Sequence, residues 1–86
     1  MFIMNIYDIK KYIFEIITEL NPEVSELDLE KNYSLIDDLG FDSLMLINFI
    51  VRIETKFNFS FKIDDDINLL ADNLDKLAEY IYNVER

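Results

Sequence analysis

Leu39-Gly40-Phe41-Asp42-Ser43-Leu44 is where the chain passes from irregular to regular structure, and its reading sets the rest. Gly40 lets the backbone turn into conformations that other residues resist, Asp42 is an acid able to cap a helix, and Ser43 stands where a helix begins. From Ser43 to Phe57, the residues Leu46, Phe49, Ile50, Ile53 and Phe57 recur at the spacing of one helical face, which predicts a helix turned toward a core. Leu44, Ile47 and Val51 fall on a different side of that helix, roughly a third to half a turn away. One core cannot easily use both faces. A hydroxyl at a helix start lies beside free N–H groups and the positive end of the dipole, a setting that welcomes a phosphate ester. The expectation is a chain that works by carrying something on Ser43.

Upstream, Ile6, Ile9, Ile13, Ile16, Ile17 and Leu20 predict a helix from about Asn5 to Leu20 with one buried stripe, ended by Asn21-Pro22. Between Pro22 and Asp42 no period persists, although Val24, Leu27, Leu29, Tyr33, Leu35, Ile36 and Leu39 could pin the segment to a core. It reads as a long anchored loop, a kind of connection that more often than not carries function. Downstream, Phe57 to Ile63 alternates with a period of two, but no second strand exists to pair with it. An extended connector that inserts phenylalanines into the core is therefore expected. Asp64-Asp65-Asp66 could cap a short helical turn holding Ile67 and Leu70. A last helix is expected from Leu74 to Val84, capped by Asn73, with Leu74, Leu77, Ala78, Ile81 and Val84 as its stripe. The fold class is all-α, with three main helices and one short one in a single domain over residues 1–86.

The composition narrows the function. At 86 residues and 10.3 kDa the chain has room for one modest core and none for a second domain around a buried cleft. Hydrophobic residues at 51% and aromatics at 14% allow it to fold despite its charge. Lys+Arg 8 against Asp+Glu 18 gives a net charge of -10, which repels nucleic acid and anionic lipid and draws basic proteins. With Cys 0 and His 0, thiol nucleophiles, disulfides, imidazole bases and the usual transition-metal ligands are all missing, so conventional nucleophilic catalysis is nearly excluded. Asp8, Lys10 and Lys11 follow the apolar Met1-Phe2-Ile3-Met4 too soon for a signal-peptide core, and no apolar run reaches membrane-spanning length. A soluble, cytoplasmic protein without stable membrane insertion follows as the expectation. Asp37, Asp38 and Asp42, or Asp64-Asp65-Asp66, could attract a hard cation. Leu69 stands where an EF-hand needs its turn glycine, so no dedicated metal site is expected.

Asp38-Leu39-Gly40-Phe41-Asp42-Ser43-Leu44, set in a chain of this length and helix order, resembles the Asp-Leu-Gly-x-Asp-Ser-Leu motif of the acyl carrier protein family. Ile53-Glu54-Thr55-Lys56-Phe57 is similar to the end of that family's second helix, and Leu77-Ala78-Glu79-Tyr80-Ile81 to its last helix. The resemblance implies a small acyl-carrier-protein-like helical bundle. It implies that Ser43 receives 4'-phosphopantetheine from coenzyme A, with Gly40 and Asp42 as neighbours in the attachment motif. It further implies a monomer that is served by a phosphopantetheinyl transferase and presents acyl thioesters of fatty-acid or related biosynthesis to acyl-transferring or synthase enzymes with basic docking surfaces. Docking would fall on Asp38, Leu44, Met45, Ile47, Asn48, Val51 and Glu54, unless Leu44, Ile47 and Val51 pack beneath the connector or the short helix. The chain departs from the fatty-acid type in lacking an acid-lined second helix: Met45, Asn48 and Arg52 take positions expected to be exposed, and Glu54 is the main acid left. A carrier of polyketide, aminoacyl or peptidyl intermediates shares the same arm. An acidic helical adaptor without a prosthetic group, with Ser43 as a mere cap, is the reading from another class.

Overall fold

The computed structural model describes residues 4–24, 26–62 and 66–85. Four helices follow one another: α1 (Ile6–Leu20), α2 (Ser43–Phe57), α3 (Ile67–Ala71) and α4 (Leu74–Glu85), with no strand among the described residues. Side-chain caps set their starts. Asn5 accepts from Asp8 N–H at 2.8 Å, Asp42 from Met45 N–H at 2.8 Å, Asp66 from Leu69 N–H at 3.0 Å and Asn73 from Lys76 N–H at 3.1 Å. Each cap satisfies a first-turn donor that has no partner within its own helix. α2 ends on Asn58 in the left-handed conformation (φ 56°), which asparagine tolerates better than most residues.

α1 supplies the centre of the core. It buries Ile9, Ile13, Phe14, Ile16 and Ile17 against α4 on one side and α2 on the other, while α3 packs on α4. Phe49, Ile53 and Phe57 of α2 and Leu74, Leu77, Ala78 and Ile81 of α4 close over that stripe. The expected periods locate this core, with differences at its edges. Ile6 and Val84, counted in buried stripes from sequence, lie in the outer turns of α1 and α4 and are exposed; Ile36 in the loop is exposed as well. Leu46 and Ile50 are half-buried beside Phe49 and Ile53. Phe14, outside the expected stripe, is buried and meets Tyr33 edge-on at 5.8 Å between ring centres.

Lys10 is the charged side chain drawn into this interior. Its Nζ reaches Asp75 Oδ1 of α4 at 2.6 Å and Lys31 O of the loop at 2.7 Å, and lies 5.6 Å from the Phe14 ring centre. A buried ammonium needs such partners because loss of hydration is otherwise unpaid. One side chain thus ties α1, the loop and α4 together. The connector after α2 is irregular and, among the described residues, pairs with no strand; its Phe59 and Phe61 are half-buried against Tyr80 of α4, with ring centres 6.1 and 5.5 Å away. Ile63, Asp64 and Asp65, named above in the connector and the third cap, lie outside the described residues, as does the Met1-Phe2-Ile3 part of the apolar start.

Candidate functional site

The loop that leads to Ser43 is irregular in shape but closely bonded. Ser34 organises it: its N–H donates to Asp38 Oδ2 at 2.8 Å, and its Oγ accepts from Asp37 N–H at 3.1 Å and lies 3.1 Å from Asp72 Oδ1. Its carbonyl accepts from Asp38 and Leu39 N–H at 3.0 and 3.2 Å. Leu35 N–H donates to Ala71 O at 2.9 Å and Leu74 N–H to Tyr33 O at 3.1 Å, which fasten the loop to α3 and α4. Asn21 Nδ2, at the end of α1, donates to Leu39 O at 3.1 Å. With Leu35, Leu39 and Phe41 buried, backbone and side chains together fix where α2 begins.

Gly40 then turns the chain with φ 69°, and a Cβ built on it meets nothing within 4 Å, so the glycine serves backbone conformation rather than space. Phe41 N–H returns to Leu35 O at 2.9 Å and its ring packs edge-on against Phe49 at 6.0 Å. Asp42 is extended (φ -98°, ψ -177°), its Oδ1 accepts from Met45 N–H and its carbonyl accepts from Leu46 N–H at 2.9 Å. Ser43, the first helical residue, is exposed. The cap belongs to Asp42, so the Ser43 hydroxyl is not needed to start the helix. Its Cα–Cβ bond leans toward the helix N-terminus, where the N–H groups of Ser43 and Leu44 precede the intrahelical ladder. These residues fit an anionic phosphodiester: an accessible hydroxyl, first-turn donors and the positive end of a 15-residue helix.

The residues expected to dock partners divide into two groups. Leu44, Ile47 and Val51 are 68%, 59% and 55% exposed and do not pack beneath the connector or α3. Asn48 is exposed between them. Met45, placed on the surface from sequence, is instead half-buried against the core, because its position on α2 borders Phe49. Asp38 is exposed with its carboxylate turned back to Ser34 N–H, and Glu54 is half-buried with Oε2 accepting from Phe61 N–H at 2.8 Å. Glu54 therefore ties α2 to the connector. Sequence reasoning passed over Ser34 and Lys10; the spacing of Ser34 to Asp38 is a faint turn signal, and nothing local marks Lys10. No three carboxylates among the described residues converge on a metal position.

Residues 11–81 match the family model described as the phosphopantetheine attachment site. The chain belongs to the acyl carrier protein family. It is 35% identical over 72 residues to an acyl carrier protein of Porphyromonas gingivalis, covering 81% of this chain and 90% of that one. It is 33% identical over 78 residues to an acyl carrier protein of Exiguobacterium sibiricum, covering 91% and 86%. An acyl carrier protein homolog of Clostridium acetobutylicum is 30% identical over 82 residues, covering 87% and 80%. No solved structure matches the chain significantly. The prosthetic group of the family is 4'-phosphopantetheine, and the all-helical bundle agrees with the fold expected of such carriers. Among the described residues no helix is long and apolar enough to cross a membrane.

Proposed function

We propose that the chain carries acyl intermediates as thioesters on a 4'-phosphopantetheine arm esterified to Ser43 Oγ. The observation that carries this is the division of labour at the head of α2: Asp42 caps, and the exposed Ser43 hydroxyl next to it is left available for esterification. When bound, the arm supplies a terminal thiol that forms energy-rich thioesters, which suits a chain with Cys 0. Residues of the chain hold the ester in place: Gly40 turns the backbone, Asp42 fixes the first turn, and first-turn N–H groups face the phosphodiester. Leu44, Ile47, Asn48 and Val51, exposed along α2 beyond Ser43, form the surface against which a phosphopantetheinyl transferase and acyl-transferring or synthase enzymes seat.

In this reading residues 1–86 act as one monomeric carrier domain without catalysis of its own. It works in the cytoplasm, where coenzyme A is at hand, and the net charge of -10 draws basic enzymes to it. Its contribution is effective concentration, since a tethered thioester meets each docked enzyme as an intramolecular reactant. Fatty-acid or related biosynthesis is the pathway proposed. Incubation with coenzyme A and a broad-specificity phosphopantetheinyl transferase, followed by intact mass measurement, tests the attachment. The wild-type protein is expected to gain the mass of one arm and Ser43→Ala to gain none while keeping its helical circular dichroism. An unmodified wild-type protein beside a working positive control would favour the adaptor reading.

A further inference from the structure

The charge of the molecule and the charge of α2 have opposite signs. Of 18 acidic residues only Glu54 lies in α2, and its Oε2 is engaged by Phe61 N–H. The same helix carries Arg52 and Lys56. Leu44, Ile47, Asn48, Val51 and Thr55 make its exposed face, and that face runs on into a groove between α1 and α2 of about 360 Å³, lined by Ile16, Glu19, Val51, Arg52, Thr55 and Lys56. Acids stand at the other end, where Asp37, Asp38 and Asp42 precede Ser43 and are exposed. The docking face is therefore graded along α2: acidic before Ser43, apolar in the middle, cationic at the far end.

We infer that this face seats a partner protein by apolar contact with Leu44, Ile47 and Val51, and that the partner places a carboxylate in the groove beside Arg52 and Lys56. The inference rests on the carrier reading, which supplies a reason for a partner to sit next to Ser43. Both cations are able to receive such a group. Arg52 Nη1 meets Glu19 Oε2 at 3.3 Å in an exposed pair, a kind of contact that water and an incoming carboxylate readily replace. Lys56 Nζ lies 4.1 Å from the centre of the Tyr12 ring, a contact through the ring face that does not occupy a carboxylate partner. The negative charge elsewhere steers basic surfaces at long range. At physiological salt it is screened over about 8 Å, so contact preference is set by the charges at the face itself. Opposite charge at the two ends also fixes the direction in which a partner lies along α2, and with it the side from which a thioester on Ser43 is approached.

Two synthetic amphipathic helical peptides test the inference on the full chain: both carry the same leucine face, one with glutamates and the other with lysines at one end. Binding is followed by NMR shifts of Ile47, Val51, Arg52 and Lys56 at physiological salt. The glutamate peptide is expected to lie with its charged end beside Arg52 and Lys56, and the lysine peptide to lie the other way with its lysines toward Asp38 and Asp42. Arg52→Gln with Lys56→Gln is expected to weaken the glutamate peptide about two- to fivefold, on the scale of one newly formed exposed ion pair since Arg52 gives up Glu19, and to leave the lysine peptide unchanged. Glutamate-peptide binding that ignores this double substitution, or no binding of either peptide, overturns the inference. Phosphopantetheine loading is read separately by mass: a chain that loads but whose hold on the glutamate peptide ignores Arg52 and Lys56 keeps its carrier role and loses this inference, and a chain that never loads loses both.

Discussion

At the head of α2, Asp42 Oδ1 accepts from Met45 N–H at 2.8 Å and its carbonyl takes the first intrahelical bond, so the neighbouring Ser43 is spared any part in capping. Sequence alone shows an acid and a hydroxyl side by side at a helix start, either of which can cap, and cannot choose between them. The extended backbone of Asp42 makes the choice. Stability follows from it: Asp42→Ala is expected to lower the free energy of unfolding by about 1 kcal/mol. Ser43→Ala is expected to change it by less than about 0.5 kcal/mol, the ordinary range for an exposed position. Urea denaturation of the two variants checks the contrast, and equal losses would return the cap to Ser43. Gly40 was legible for the right reason, since its φ of 69° is what the residue type suggested. Met45 was misplaced because helical periodicity gives an angle, not the reach of a long thioether into a neighbouring core.

Periodicity located α1 and α2, because each carries a long run of apolar residues between clear stops. It served less well for α3, whose five residues hold barely one turn and depend on Asp66 and on Leu35 N–H bonding to Ala71 O. What joins the elements was hidden. The contact of Lys10 with Asp75 spans most of the chain, and a lysine between Ile9 and Ile13 reads as a solvated residue until α4 is laid beside it. Lys10→Ala is expected to cost about 2 kcal/mol, since it removes charge-assisted bonds to α4 and to Lys31 O together with packing on Phe14. Lys10→Met, which fills similar space but makes neither charge-assisted bond, is expected to recover only the packing share, less than about half of that loss. Thermal denaturation of both variants decides it; an Ala variant as stable as wild type would mean the clamp adds nothing.

Over the whole molecule, 18 acidic against 8 basic residues leave a net charge of -10 on a body with a radius of gyration of 12.0 Å. Self-repulsion at that density opposes compaction and is weakened by salt. The melting temperature is therefore expected to rise as sodium chloride is increased from about 0.01 M to about 0.5 M, and a flat or falling trend would contradict the charge argument. The fold class and the place of the exposed serine were legible in 86 residues because one amphipathic pattern repeats across three helices. The direction of the charge gradient along α2 was not, because it required knowing that Glu54 is turned to the connector. The separation of Asp42 from Ser43 has a last consequence. If the adjoining oxygen bears a passenger as proposed, the first turn of α2, anchored by the residue next door, does not draw on that oxygen for its outline, so a visitor reading that turn has to feel the freight itself and not the vehicle.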